Sequence, residues 1–233
     1  MQKLQEELLR DFYIEKYKLA SILPESILPE LILVEFNQGE YLCSQGEPSE
    51  WVFFLLKGKV KIYTATSDGK RLVVAFNTPF ELFGDIELIQ QLDYTHSIEA
   101  VGNVHTFRMK TSELRRMLEN STFSTYLLTT ISRKFYTKSK TLSFHLLNKV
   151  EIRLSSYLLS MMNDEFGEPD RIEIKSTELK DIAEFIGTSY RHLNRILSAF
   201  EAEGIVERKK ETIHIRDLTL LKNKAQENIY EIQ

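Results

Sequence analysis

Hydrophobic residues between about positions 31 and 110 form short runs that are separated by turn-forming residues. The runs read LILVEF, WVFFLL, KVKIYT, RLVVAF and VHTFRM, and six of the nine glycines fall in this stretch. Short strands at regular intervals, with glycine in the connections, are typical of an antiparallel β-barrel or β-roll. The Asp68-Gly69 pair between two of these runs predicts a hairpin turn, because both residues tolerate a positive φ.

The hydrophobic period becomes helical on either side of this stretch. Residues 2–20 are predicted to form an amphipathic helix and residues 112–119 a short helix, and residues 121–147 and 149–163 are predicted to form two more helices. Because the second pair of helices is followed by a polar loop, NDEFGEPD, the chain changes character again after residue 163.

The long helix 121–147 carries a heptad seam, in which apolar positions recur at alternating spacings of three and four. The seam consists of Leu128, Ile131, Phe135, Lys138, Leu142 and His145. Such a seam either lies on its own domain or pairs with the same helix of a second copy. We expect pairing. The predicted dimer interface is then Leu128, Ile131, Phe135 and Leu142.

After the polar loop, the pattern predicts a winged helix-turn-helix. It comprises a short strand (RIEI), helix 177–185 with Ser176 as its N-cap, a turn at Gly187, helix 189–202, and two short strands (IVERK and TIHIR). Two short helices that are joined by a glycine turn and followed by a β-hairpin are the elements of this motif.

The outward face of helix 189–202 has the chemistry that reads a major groove. It presents Tyr190, Arg191, Asn194 and Arg195, and no acidic residue occurs between Ser189 and Phe200. Arg pairs with guanine, Asn pairs with adenine, and hydroxyl groups bond to phosphate. On an isolated helix, this face would be read as solvated surface. The neighbouring helix and wing favour DNA contact. The predicted DNA-binding residues are Ser176, Thr188, Ser189, Tyr190, Arg191, Asn194, Arg195 and, in the wing, Lys209.

The charge balance of the C-terminal region argues mildly against DNA binding. Residues 151–233 contain 12 Lys and Arg against 16 Asp and Glu, whereas DNA-binding domains are usually strongly basic. Any DNA contact must therefore come from a local cluster of cations. The acidic balance favours an alternative in which the chain is a ligand-binding regulatory module that acts through a protein partner, with a degenerate helix-turn-helix.

Composition excludes several other classes of protein. The N-terminus lacks the apolar core of a signal peptide, and no apolar run reaches the ~18 residues of a membrane span, which indicates a cytoplasmic protein without a membrane partner. The single cysteine, Cys43, and five scattered histidines predict neither a metal site nor a cofactor. Glycine-rich phosphate loops and nucleophile elbows are missing from the sequence, so we do not expect an enzyme.

Two segments together resemble the cyclic-AMP receptor protein/fumarate–nitrate regulator (Crp/Fnr) family of bacterial transcription regulators. The glycine spacing in NQGEYLCSQGEPSEWVFFLLKGKVKIY resembles the family's sensor barrel, and FGDIELI falls where its effector-contacting cassette begins. The stretch GTSYRHLNRILSAFEAEG resembles its helix-turn-helix. The FGDIELI and SYRHL segments are similar to the small YeiL-type branch. The resemblance covers about residues 30–225.

The resemblance implies an α+β fold with three parts. Residues 1–120 would form a cyclic-nucleotide-binding-like β-roll (jelly roll) that senses an effector, 121–148 a dimerisation helix, and 149–233 a winged helix-turn-helix. The function implied is sequence-specific transcription regulation by a homodimer. The implied partners are double-stranded DNA, RNA polymerase and an unidentified small-molecule effector.

The sensor departs from the members that bind cyclic AMP. Those members carry a Glu after the cassette glycine and an Arg further along, which hold the ribose and the cyclic phosphate. This chain has Asp85 at the first position and Thr95 or His96 at the second. Neither a threonine nor a neutral histidine can replace a guanidinium that binds the cyclic phosphate. We therefore expect that cyclic AMP does not bind. His96 is read either as a structural residue or as a pH-responsive one. The effector pocket that the resemblance implies is Phe83, Gly84, Asp85, Ile86, Glu87, Thr95 and His96.

Overall fold

The computed structural model describes residues 2–3, 7–69, 71–160 and 173–225, and the chain separates into two compact units. The units are Met1–Lys134 and Phe135–Gln233, so the division falls inside the predicted long helix. The functional boundaries at 120 and 148 stay predictions.

The first unit is built on a seven-stranded antiparallel sheet, as the β-roll prediction requires. The strand order is β1-β2-β7-β4-β5, with β3 paired to β7 and β6 paired to β4. The elements are β1 (Gln2–Lys3), α1 (Glu7–Lys16), β2 (Ile32–Phe36), β3 (Tyr41–Cys43), β4 (Trp51–Ala65), β5 (Arg71–Asn77), β6 (Glu81–Phe83), α2 (Asp85–Gln90), β7 (Ser97–Lys110) and α3 (Thr111–Arg116), with 3₁₀ turns at Leu19–Ser21, Leu28–Glu30 and Met117–Glu119.

Two local predictions need correction. The runs WVFFLL and KVKIYT belong to one strand, β4, whose pairing with β7 shifts register on both sides of Lys57. The N-terminal helix begins at Glu7 and not at residue 2, because Gln2 and Lys3 pair with β2. The hairpin at Asp68-Gly69 is confirmed, since Ala65 pairs with Arg71 across it.

Both faces of the sheet are buried, which explains why WVFFLL is continuously apolar and does not alternate with polar residues. Val52, Phe54 and Leu56 face the core that contains α1 and the first turns of the long helix. Phe53 and Leu55 face the interior of the roll. The cassette helix α2 follows β6, which pairs with β4, and its Leu88 is buried in the core that contains α1.

Gly58 is the glycine whose replacement the fold should tolerate least. Its φ is +85°, and a Cβ there would lie 2.3 Å from the Asn103 carbonyl oxygen. We expect Gly58→Ala to lower the free energy of unfolding by about 1–3 kcal/mol more than Gly39→Ala, because overpacking adds to the cost of the backbone conformation. Gly39 is the matched control, with a φ of +83° and nothing within 4 Å. Equal losses in chemical denaturation would contradict the close approach.

The second unit is helical with a small sheet. The long helix, α4 (Ser121–Leu147), was predicted with the same bounds and continues into this unit. The strands of the second unit pair in the order β8-β10-β9. The elements after α4 are α5 (Val150–Ser160), β8 (Glu173–Lys175), a 3₁₀ turn (Ser176–Glu178), α6 (Leu179–Phe185), α7 (Tyr190–Ala202), β9 (Val206–Arg208), β10 (Thr212–Ile215) and α8 (Leu218–Ala225).

Most of the predicted C-terminal elements are present. The predicted loop NDEFGEPD lies outside the described residues, as do positions 161–163 and 171–172 of the predicted helix and strand. Helix α8 was not predicted, and it packs against α5 with Leu221 buried. Within the described part of the chain, none of the helices has both the length and the hydrophobicity of a membrane span.

Candidate nucleic-acid interface and sensor site

Helices α6 and α7 meet at a tight turn on Gly187, as predicted. Gly187 has a φ of +69°, which favours glycine, and the Thr188 N–H donates to the Ala183 carbonyl at 2.9 Å. Small Ala183 is buried at this junction. The apolar sides of both helices are buried, and the buried residues are Leu179, Ile182, Ala183, Ile186, Leu193, Ile196, Leu197 and Phe200.

The two serines chosen as helix starts differ. Ser189 caps α7, because its Oγ accepts a hydrogen bond of 3.1 Å from the His192 N–H. Ser176 does not cap α6, since it begins the 3₁₀ turn that precedes that helix. Its backbone N–H instead donates to the Glu211 carbonyl at 2.8 Å, which ties it to the wing. Ser176 remains exposed on this side of the motif.

The outward face of α7 has the predicted composition. Tyr190, Arg191 and Arg195 are exposed, and Asn194 is half-buried beside them. The charges on this face are therefore open to a partner, and the helix N-terminus adds a favourable site for a phosphate.

The amide of Asn194 already has protein partners. Its Nδ2 donates to the Tyr190 carbonyl at 3.0 Å, and its Oδ1 accepts a hydrogen bond from Arg208 Nη2. Arg208 was not among the predicted site residues, although it lies in the predicted wing strand IVERK. Only the tertiary structure shows that its side chain returns to α7.

Two further predicted contacts lie around α7. Lys209 is exposed at the hairpin turn, where its backbone N–H donates to the Thr212 carbonyl at 2.7 Å. Thr188 is half-buried in the turn before Ser189. Of the predicted DNA-binding residues, all therefore lie in the helix-turn-helix or its wing.

The cassette brings Glu87, Thr95 and His96 together. The buried Glu87 carboxylate accepts hydrogen bonds from the Thr95 N–H at 3.0 Å and from its hydroxyl at 2.7 Å. Since that hydroxyl has one proton, His96 Nδ1 must donate to Thr95 Oγ1, at 2.8 Å. Thr95, one of the two positions at which the resemblance places the Arg of cyclic-AMP-binding members, thus donates twice to a buried carboxylate.

The remaining residues of the predicted effector pocket have different surroundings. Phe83 is buried in the roll interior, and Gly84 has a φ of +87° beside Trp51. Ile86 is exposed. The Asp85 carboxylate pairs with Lys134 of α4 at 2.8 Å. That Asp85 lines an effector pocket with Thr95 and His96 stays a prediction.

The Lys134 contact belongs to a small ion-pair group between the cassette and α4. Lys134 also lies 3.5 Å from Glu81, and Arg133 lies 3.1 Å from the same carboxylate. Both cations therefore form ion pairs within the first unit.

Cys43 is a buried thiol in the roll interior. Burial raises its pKa to about 12, and the Glu87 carboxylate adds to this shift. A thiol held in this form is a poor nucleophile, which argues against a redox sensor. Among the described residues, no group of three His, Cys, Asp or Glu side chains could hold a metal ion.

The predicted seam of α4 divides into two sets. Leu128, Phe135 and Leu142 repeat every seven residues and are 68%, 74% and 61% exposed. Ile131 packs partly on the core of the first unit, and the His145 ring makes an edge contact with Phe185. Burial lowers the pKa of His145 to about 4, with the Arg153 charge as the second cause.

Comparison with known proteins assigns both parts of the chain. Residues 33–121 match the cyclic nucleotide-binding domain, and residues 152–224 match the Crp-like helix-turn-helix domain. The regulatory protein YeiL of Escherichia coli O157:H7 is 28% identical over 201 residues, covering 84% of this chain and 86% of that protein. A CRP-like cAMP-activated global transcriptional regulator of Mycobacterium tuberculosis is 24% identical over 196 residues, covering 82% and 87%.

A solved structure shows the same fold. The putative Crp/Fnr regulator of Eubacterium rectale superposes with a TM-score of 0.76 at 16% identity, covering 95% of this chain and 99% of that one. The sequence relatives are regulators and not enzymes, which agrees with the expected class. The chain therefore belongs to the Crp/Fnr family of transcription regulators, with a cyclic nucleotide-binding domain ahead of a DNA-binding, Crp-like helix-turn-helix.

Proposed function

We propose that the protein is a homodimer that reads a near-palindromic operator through α7 of each subunit. The observation that carries this proposal is the exposed face Tyr190–Arg195, which has no acidic residue and lies on a helix capped by Ser189. Arg191 and Arg195 would read bases, whereas Ser189 and Lys209 would bond to phosphates. The local cluster of cations outweighs the acidic balance of the C-terminal region, because recognition depends on the surface that meets the DNA.

In this proposal each of the three predicted parts has a separate function. Residues 1–120 sense an effector, residues 121–148 pair the subunits, and residues 149–233 bind DNA. The effector would favour one placement of the two recognition helices by binding that state more tightly. RNA polymerase stays a predicted partner.

The effector is proposed not to be cyclic AMP. The phosphate-clamp position is Thr95 or His96, and Thr95 is hydrogen-bonded to the buried Glu87 carboxylate. A second negative charge placed beside that carboxylate would be repelled, since burial weakens the screening between like charges. The M. tuberculosis relative is described as cAMP-activated. We infer that the chain has kept the fold of that sensor and changed its ligand.

Selection from a pool of random duplexes tests the proposal directly. The wild-type protein should return a motif with two-fold symmetry, whose half-sites lie about one helical turn, or about 34 Å, apart. Binding should weaken steeply with salt, because phosphate contacts release counterions. Failure to bind any duplex at low salt would instead favour the regulatory module that acts through a protein partner.

Arg191 and Lys209 are expected to give different signatures in that selection. Removing the Arg191 side chain should cost about 1–3 kcal/mol on the selected site and relax the preference at one base pair in each half-site. Lys209→Ala should weaken binding to all sequences similarly and reduce the salt slope by about one unit. If Arg191→Ala returns the same motif with equal information at every position, this face does not read sequence.

A further inference from the structure

The Arg208 side chain lies on the same face of α7 as the predicted base readers. Its guanidinium donates to Asn194 through Nη2 and to Ser198 Oγ through Nη1, the latter at 3.2 Å. Asn194 and Ser198 are four residues apart, and they follow Arg191 and Arg195 by three residues each on the helix. Residues at these spacings share one helical face. The wing thus adds a third guanidinium to the surface of α7.

The backbone of Arg208 is held as firmly as its side chain. Its N–H donates to Glu201 Oε1 at 3.1 Å, and the residue pairs with Ile213 across the wing hairpin. Glu201 itself lies one turn beyond Ser198 on the outer side of α7. An arginine whose backbone and guanidinium are both hydrogen-bonded has already lost much of its side-chain rotamer freedom. Little further ordering of the side chain is therefore needed when it binds a partner.

The geometry assigns different roles to Asn194 and Arg208. Asn194 Nδ2 is bonded to the Tyr190 carbonyl, which turns Oδ1 toward the wing and toward Arg208. A guanidinium has five N–H donors, and the two bonds to α7 leave donors for the N7 and O6 acceptors of a guanine. We propose that Arg208 is a third base-contacting residue and that Asn194 acts as its positioning residue. This inference rests on the proposed reading of DNA by α7.

The proposal predicts that the two residues act as one unit. Arg208→Ala should lower affinity for the selected duplex by about 5- to 150-fold and abolish preference at one base pair per half-site, distinct from the one lost in Arg191→Ala. Asn194→Ala should weaken preference at the same base pair as Arg208→Ala. The double variant should bind no more weakly than Arg208→Ala, because a positioning residue has no effect once its target is removed.

Selection and salt titration on the full-length variants test this. Lys210→Ala is the matched control, because Lys210 is a neighbouring exposed wing cation. Lys210→Ala should weaken binding to all duplexes by a similar factor and leave the selected motif intact. Arg208→Lys keeps the charge but loses the planar fork, so it should retain the salt slope of the wild type and lose the base preference. Thermal unfolding of each variant reports whether the wing is still folded.

The outcomes separate this inference from the function on which it rests. If Arg208→Ala keeps the complete motif and only reduces the salt slope, Arg208 binds phosphate and the inference is overturned. Loss of preference at different base pairs in Arg208→Ala and Asn194→Ala would overturn the positioning role. If Arg191→Ala changes the motif and Arg208→Ala does not, the inference alone fails. A wild-type protein that selects no motif overturns both.

Discussion

Replacing Phe135 with Ala should weaken the dimer by a few kcal/mol, with ~3–5 kcal/mol for a fully buried Phe as the upper guide. In the single chain the Phe135 ring is 74% exposed at the middle of α4. Leu128 and Leu142 lie seven residues to either side and are also exposed. An apolar row of this kind becomes buried when the same helix of a second copy packs against it in a coiled-coil arrangement.

Concentration-dependent light scattering or sedimentation measures the effect. Tyr136→Ala is the matched control, because Tyr136 is also an exposed aromatic of α4 and lies outside the seven-residue repeat. It should change the dissociation constant of the dimer much less than Phe135→Ala. A wild-type chain that is monomeric at micromolar concentration would rule out the two-fold mechanism, and equal effects of both variants would place the interface elsewhere.

Cyclic AMP should bind this protein ~30- to 4,000-fold more weakly than a sensor with the guanidinium clamp, which corresponds to ~2–5 kcal/mol. The estimate is the loss of a buried, charge-assisted partner for the cyclic phosphate. The structure adds a second reason, since Thr95 donates both its N–H and its hydroxyl to the Glu87 carboxylate. The ligand would have to displace these bonds while bringing its own negative charge.

Calorimetry with cyclic AMP provides the measurement, and low-micromolar affinity would contradict the prediction. Two variants test the physical cause of the weak binding. Glu87→Gln removes the negative charge and should raise affinity, whereas Thr95→Arg supplies the missing cation and should raise it further when combined with Glu87→Gln. If these variants bind cyclic AMP no better than the wild type, the carboxylate and the absent clamp are not what excludes the nucleotide.

The sequence by itself determined the elements that depend on local physics. The strand runs, the hairpin at Asp68-Gly69, the full length of α4 and the turn at Gly187 follow from hydrophobic period and from backbone freedom at glycine. The exposed face of α7 was also predictable, because a helix with one apolar stripe must direct its other residues away from the core. The two halves of the family resemblance rest on these same elements.

Only the tertiary structure decided which polar groups meet. Arg208 reaches Asn194 from fourteen residues away, and Lys134 reaches Asp85 from forty-nine residues away. The prediction that Asp85 faces the effector did not anticipate this pairing, and Ser176 was expected to cap a helix that begins at Leu179. Hydrophobic periodicity reports which side of an element is buried. It carries no information about which distant charge will lie opposite, because that depends on how separate elements pack and on the need of each buried polar group for a partner.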